Sequence, residues 1–157
     1  MSICVCVTLT LVQGCTLVAH TASPFPSSSP KDEMELITPA VEGTLGVLRA
    51  CRDSATVRAI CVTSSVASVS EGKAQQDKGT YTDKDWSDVE EEIGMYAKSK
   101  TLAERAAWAF YEEAKPKWAL CTINPTFVVG PCLSPEAGGT SMEIVARLMN
   151  GTMPVRL

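Results

Sequence analysis

The 157-residue sequence contains one histidine, no CxxC pair and no run of lysine or arginine. Its seven cysteines are an odd number without metal-ligand spacing, which argues against a zinc site and a closed disulfide framework. Reduced thiols favour a cytoplasmic location. The net charge of −4 and the lack of a basic run argue against nucleic acid or an anionic membrane as a partner. We therefore expect no metal, nucleic-acid or membrane partner.

The apolar amino terminus, residues 1–19, has no lysine or arginine in front of it. A signal peptide needs a positively charged region at that place, and the segment is short and threonine-rich for a transmembrane helix. Secretion is a weaker alternative that amino-terminal sequencing would test. The hydrophobic fraction of 45% and the charged fraction of 20% are typical of a globular protein, and the length suits one domain.

Three short apolar segments, residues 15–20, 57–63 and 117–123, predict buried strands. Helical periodicity predicts helices over 31–52 and 94–115, with Pro39 marking either the start of the first helix or a kink in it. Strands that alternate with helices indicate a parallel sheet in an α/β fold. The polar loop 66–93 is long enough to suggest a place near a functional site. A short amphipathic segment covers 141–149.

Several side chains are expected to pack rather than to react. Leu102, Ala106 and Phe110 form one apolar stripe on the second helix, and Trp108 and Phe110 are expected in the core or at an interface. We expect Trp86 to be a packing anchor and the lone His20 to be structural. Cys61 and Cys121 lie in predicted strands and are expected to be buried, inert thiols.

Tyr96 and Lys100 stand four residues apart in YAKSK, so both lie on one face of the predicted helix. A cation beside a phenol favours the phenolate form and so suits a phenol to proton transfer near neutral pH. The pair by itself is also compatible with a solvated helix face. Thr63, Ser64 and Ser65 end a predicted parallel strand, at the sheet edge where open α/β folds bind ligands. A hydroxyl group there can bind a carbonyl oxygen.

The segments TSSVASV, YTDKDWSD, YAKSKTLAERAAW and INPTFVVGP follow one another in this order, with HTASPF and PAVEGTLGVLRAC before them. Together they resemble the extended short-chain dehydrogenases/reductases, in the NAD-dependent epimerase/dehydratase superfamily. The dihydroflavonol reductase and cinnamoyl-CoA reductase group is the most similar. The resemblance spans residues 13–153 and implies a Rossmann-like parallel sheet.

By resemblance, Ser65, Tyr96 and Lys100 are the catalytic residues of an NAD(P)(H)-dependent oxidoreductase that acts on a small carbonyl or alcohol substrate. The family favours NADP(H) over NAD(H). The cofactor-binding positions that it implies are, besides Tyr96 and Lys100, the following: Ala22, Ser23, Thr63, Pro125, Thr126 and Val128.

The sequence departs from the family at its beginning, because it has no GxGxxG or GxxGxxG turn to hold a pyrophosphate. We expect a single partial domain over 1–157 that contains the second βαβαβ half of the fold. It comprises a leader unlike the family (1–12), a core (13–132) and the start of a truncated substrate region (133–157). Residues 3–12 could form a substitute strand on the exposed sheet edge.

Without the glycine-rich turn, cofactor binding is expected to be weak. The alternative to an active reductase is a catalytically inactive fragment, or a domain that binds a partner. Helix 94–115 would then pair with a second copy or with a full-length relative, since by resemblance the corresponding helix takes part in dimer contacts.

Overall fold

The computed structural model describes residues 10–23, 30–72, 79–131 and 140–153. Strands β1 (Leu17–His20), β2 (Ala59–Thr63) and β3 (Ala119–Ile123) alternate with helices α1 (Met34–Arg52) and α2 (Met95–Ala114). A 3-10 helix (Val66–Ser68) follows β2, and helix α3 is Thr140–Met149. The predicted α/β class is confirmed, and each strand begins two residues later than the sequence predicted.

The three strands form a parallel sheet in the order β1-β2-β3. Leu17 pairs with Ala59, which in turn pairs with Ala119, and His20 is level with Val62 at the other end. Because the strands are parallel, their carboxyl ends lie at one edge of the sheet. The segments that come after His20, Thr63 and Ile123 therefore all begin at that edge.

Helix α1 begins at Met34, not at Pro39, because a favourable start lies upstream. The Asp32 carboxylate accepts the Met34 N–H at 2.9 Å, and Glu35 adds a negative charge to the first turn. Pro39 lies inside the helix, where its missing N–H removes one backbone hydrogen bond.

Helix α2 starts after Gly94, whose φ of 83° is a conformation that few residues other than glycine adopt. It ends at Lys115 in the left-handed conformation, followed by Pro116, which cannot continue a helix. Its most buried positions are mainly small or polar: Ala97, Ser99, Lys100, Thr101, Ala103, Glu104 and Ala107. The predicted stripe of Leu102, Ala106 and Phe110 is only half-buried.

The core lies on one face of the sheet, where α1 and α2 pack against each other and Leu48 and Ile60 are almost fully buried. On the other face the alternate residues are exposed, including Leu17 at 72% and Ile123 at 55%. Parallel sheets are normally covered on both faces. The prediction that Cys121 is buried is wrong, because it lies on this exposed face, and its register partner Cys61 is half-buried.

The chain divides into two compact units, one up to Asn124 and one from Pro125 onward. Residues 10–12 are helical, which contradicts a substitute strand that reaches Val12, and Val12 itself packs in the core. Residues 3–9 of that hypothesis lie outside the described residues. Among the helices of the described ranges, none is long and apolar enough to cross a membrane.

Candidate functional site

The carboxyl edge of the sheet faces the first two turns of α2. Ser64 and Ser65 follow β2 directly and are both buried. Tyr96 is the second residue of α2, and Lys100 follows one turn later with its Nζ atom 5.8 Å from the centroid of the Tyr96 ring. The predicted one-face arrangement of these two side chains is thus present in the geometry.

The Ser65 side chain has a defined orientation. Its Oγ atom accepts the Ala67 N–H at 3.2 Å, as the amino-terminal cap of the 3-10 helix. A hydroxyl group has one proton and two lone pairs, so this contact occupies an acceptor position and leaves the O–H bond able to donate. Ser65 can therefore offer a hydrogen bond to a carbonyl oxygen.

Lys100 is only 7% exposed although it carries an ammonium group. Burial lowers its pKa below 10.5, and the negative charge of Glu104, one turn later in the helix, opposes that shift. His20, at the end of β1, also has a pKa below its usual value, mainly because it is buried and secondly because Lys100 is positive. Burial therefore favours the neutral form of Lys100, and the negative charge of Glu104 favours the protonated form.

A small cavity of about 10 Å³ lies among the strand ends and α2. It is lined by residues of β1, β2, α1, α2 and the segments that follow the strands: His20, Ala22, Ser23, Thr44, Val62, Thr63, Ser64, Lys100, Ala103 and Glu104. The structure therefore brings four of the predicted cofactor-binding positions, Ala22, Ser23, Thr63 and Lys100, around one small space.

Tyr96, a fifth predicted position, lies in the first unit one turn before Lys100 and does not line this cavity, and the remaining three are in the second unit. Pro125 is half-buried there, whereas Thr126 and Val128 are exposed.

A hydrogen-bonded group that the sequence analysis did not single out lies beside Ser65. One carboxylate oxygen of Glu104, Oε2, accepts from Ser64 Oγ at 2.5 Å, Ser68 Oγ at 2.7 Å and Asn124 Nδ2 at 2.8 Å. We call these four residues the Glu104 cluster. The signal available in the sequence was the spacing of Glu104 one turn after Lys100, together with Asn124 at the end of a predicted strand.

The described parts of the predicted loop, residues 66–72 and 79–93, lie beside the Glu104 cluster. A larger cavity of about 620 Å³ beside β3 is lined by six loop residues and four others: Val69, Tyr81, Thr82, Asp83, Asp85, Trp86, Glu104, Trp108, Thr122 and Asn124. The loop is anchored by Ser87, which donates through Oγ to the Ala67 carbonyl at 2.8 Å. The Arg105 guanidinium lies 5.2 Å from the centroid of the Trp86 ring, so Trp86 is a packing residue as expected.

Lys100 lines the small cavity together with Ser64, the neighbour of Ser65, and Tyr96 lies one turn before Lys100 in α2. A hydroxyl donor, a phenol and an ammonium are groups that can bind a carbonyl oxygen, transfer a proton to it and stabilise the charge that develops. Four of the positions that the resemblance predicts for cofactor binding lie around the same cavity.

The family model described as the 3-beta hydroxysteroid dehydrogenase/isomerase family matches residues 7–137. Cinnamoyl-CoA reductase CAD2 of Medicago truncatula is 41% identical over 147 residues, which are 90% of this chain and 44% of that protein. The bifunctional dihydroflavonol 4-reductase/flavanone 4-reductase of Malus domestica is 42% identical over 131 residues, 80% of this chain and 36% of that one. The resemblance read from the motifs is confirmed.

Two solved structures have the same fold over this region. Yeast methylglyoxal/isovaleraldehyde reductase Gre2, complexed with NADPH, superposes with a TM-score of 0.80 at 32% identity over 93% of this chain and 47% of its own. Vestitone reductase from alfalfa superposes with a TM-score of 0.73 at 34% identity, over 92% of this chain and 44% of its own. The chain therefore spans less than half the length of each of these four relatives.

Proposed function

Since the chain belongs to the 3-beta hydroxysteroid dehydrogenase/isomerase family, we propose that it carries the catalytic half of an NADP(H)-dependent reductase of small aldehydes or ketones. The observation that carries this proposal is the nearly complete burial of Lys100 one turn after Tyr96, at the sheet edge where Ser65 lies. A purely structural lysine would keep its ammonium group in water.

Each of the three side chains has one role in the proposed reaction. The Ser65 hydroxyl donates a hydrogen bond to the substrate carbonyl oxygen and orients it. Tyr96 transfers its phenolic proton to that oxygen, and Lys100 provides the positive charge that stabilises the tyrosinate left behind. When bound, NADPH supplies the hydride that adds to the carbonyl carbon, so that the carbonyl becomes an alcohol.

The cofactor proposal is supported by the grouping of four predicted positions at the carboxyl edge of the sheet and by the NADPH complexes of similar reductases. Ala22, Ser23 and Thr63 would line the cofactor cleft, and Lys100 would donate to a ribose hydroxyl. Pro125, Thr126 and Val128 are the further positions that we propose on the nicotinamide side. We expect binding to be weak, because no glycine-rich turn in this sequence could cradle the pyrophosphate.

We also propose that the protein is cytoplasmic and that it forms a homodimer, or pairs with a full-length relative, through α2. The cysteines that the structure describes are free thiols, which suits a reducing compartment. Leu102 and Ala106 on α2 are only half-buried, so apolar surface remains for a helix contact. Light scattering of the wild type and of Leu102→Glu would test this contact, and a monomeric wild type would contradict the homodimer.

The proposed function is tested by titrating the purified chain with NADPH while tryptophan fluorescence and the melting temperature are followed. We expect saturable binding with a raised melting temperature, and oxidation of NADPH at 340 nm when an aldehyde is added. Tyr96→Phe should retain binding and lose oxidation. A cooperatively folded chain that binds no NADPH would instead support the inactive, partner-binding alternative.

A further inference from the structure

The backbone of Ser65 is held by donors that also bind Glu104. The carbonyl oxygen of Ser65 lies 2.8 Å from Ser68 Oγ and 3.1 Å from Asn124 Nδ2. Ser68 Oγ has a single proton, which can go either to this carbonyl oxygen or to Glu104 Oε2 at 2.7 Å, and Asn124 Nδ2 also lies 2.8 Å from Glu104 Oε2 and from Ser68 Oγ. Ser68 and Asn124 therefore link Glu104 to the Ser65 backbone.

The Glu104 cluster joins four parts of the fold. Ser64 lies at the end of β2, Ser68 in the 3-10 helix and Asn124 at the end of β3, while Glu104 projects from the middle of α2. Glu104 is only 5% exposed, and a buried carboxylate is stable only where hydrogen-bond donors surround it. Two hydroxyl groups and one amide converge on a single oxygen atom, so an acceptor with no proton of its own suits this place.

Glu104 also has an electrostatic contact along its own helix. It lies four residues after Lys100, and its negative charge acts against the loss of the Lys100 proton that burial favours. Among the described residues, two other titratable groups lie near Lys100: His20 at the end of β1 and Tyr96, whose ring lies on the amino-terminal side. Within the same ranges, Glu104 is the carboxylate whose charge acts on Lys100.

From this geometry we infer that Glu104 is a positioning residue for the proposed reaction. It fixes the Ser65 backbone against the helix that carries Tyr96 and Lys100, and it places a carboxylate beside the small cavity that Lys100 also lines. Glu104 touches neither substrate nor cofactor in this role. The inference rests on the proposed function, because Ser65, Tyr96 and Lys100 are the groups that it positions.

The two parts of this role are separated by two substitutions in the full chain. Glu104→Gln removes the charge but keeps an oxygen that can accept the three hydrogen bonds, whereas Glu104→Ala removes both. Glu113→Gln is the matched control, because it removes the same charge from an exposed position of the same helix. Lysine side-chain NMR reports the pKa of Lys100, assigned with Lys100→Arg, and backbone amide NMR reports the environment of Ser65.

We expect Glu104→Gln to lower the pKa of Lys100 by roughly 1 unit and to leave the Ser65 amide resonance nearly unchanged. Glu104→Ala should move that resonance as well. With NADPH and an aldehyde, Glu104→Ala should reduce kcat roughly 10-fold, and Glu104→Gln should restore part of it while its pH profile shifts. Should Glu104→Ala fail to fold, Asn124→Ala removes one of the donors, and the Ser65 amide is followed in the same way.

Equal Lys100 pKa values in Glu104→Gln and Glu113→Gln would overturn the electrostatic part of the inference. A Ser65 amide that stays in place in folded Glu104→Ala, or in Asn124→Ala, would overturn the positioning part. Neither NMR measurement needs turnover. A wild-type chain that binds no NADPH would therefore contradict the proposed function, while the two spectra would still decide the role of Glu104.

Discussion

The His20 imidazole and the Lys100 ammonium act on each other at the carboxyl end of the sheet, where both line the same small cavity. Burial, and secondly the charge of Lys100, lower the pKa of His20 below its usual 6.5. A proton on His20 would place a second positive charge near Lys100 in a buried site, and this is why protonation of His20 is disfavoured.

This relationship predicts a pH dependence of stability. Between the lowered pKa of folded His20 and 6.5, the unfolded chain binds more protons than the folded chain, so the free energy of unfolding falls as the pH decreases through 6.5. Urea unfolding at a series of pH values from about 7.5 to 5.5 measures this slope. His20→Asn should have a shallower slope than the wild type. Parallel curves for the two proteins would show that His20 has no part in it.

A second prediction separates two lysines in one pentapeptide. Lys100→Met should reduce NADPH-dependent reduction roughly 100-fold, because the proposed tyrosinate loses its stabilising charge. Lys98→Met should leave the rate unchanged, since the Lys98 Nζ atom pairs with Glu33 Oε2 at 3.0 Å and is partly exposed. It should cost only about 0.2–1 kcal/mol of stability, which thermal melting measures. Similar rates for both variants would contradict the assignment of Lys100.

A third prediction concerns cysteine reactivity. Cys121 is exposed, whereas Cys51 is fully buried, and burial together with the nearby Cys15 raises the pKa of Cys51 to about 11. Timed alkylation with iodoacetamide at pH 8, read by mass spectrometry of peptides, should modify Cys121 at least about 10-fold faster, since only the thiolate reacts. In urea the two rates should become similar. Equal rates in the folded chain would mean that the sheet face carrying Cys121 is covered.

A fourth prediction concerns Trp118, which is 3% exposed and whose ring centroid lies 5.5 Å from that of Tyr111. Within the described ranges, its Nε1–H has no hydrogen-bond partner. Trp118→Ala should cost about 3–5 kcal/mol by opening a cavity. Trp118→Phe should cost much less, because it keeps an aromatic ring and removes the unpaired donor. Urea unfolding followed by circular dichroism measures both values, and equal losses would show that the N–H is paired.

The sequence predicted the strands and helices well because their signals are local. Apolar runs bounded by polar residues marked β2 and β3, and periodicity marked α1 and α2. The sequence left two options for Pro39, the start of α1 or a kink in it, because proline is a strong local signal. The hydrogen bond from the Met34 N–H to the Asp32 carboxylate, which lies at the actual start, is a weak signal in the sequence. The most buried face of α2 does not follow its apolar stripe, because periodicity could not show that polar residues such as Thr101 and Glu104 face the interior.

The sequence by itself determined the parallel α/β order and the placement of Tyr96 and Lys100 on one helix face, because these depend on spacing along the chain. Only the tertiary structure decided which face of the sheet is exposed, and therefore that Cys121 is accessible. It also decided the Glu104 cluster, whose hydrogen bonds from Ser64, Ser68 and Asn124 span 40, 36 and 20 residues of sequence. Contacts of that range form only where the packed strands and helix bring distant segments together, so no local pattern records them.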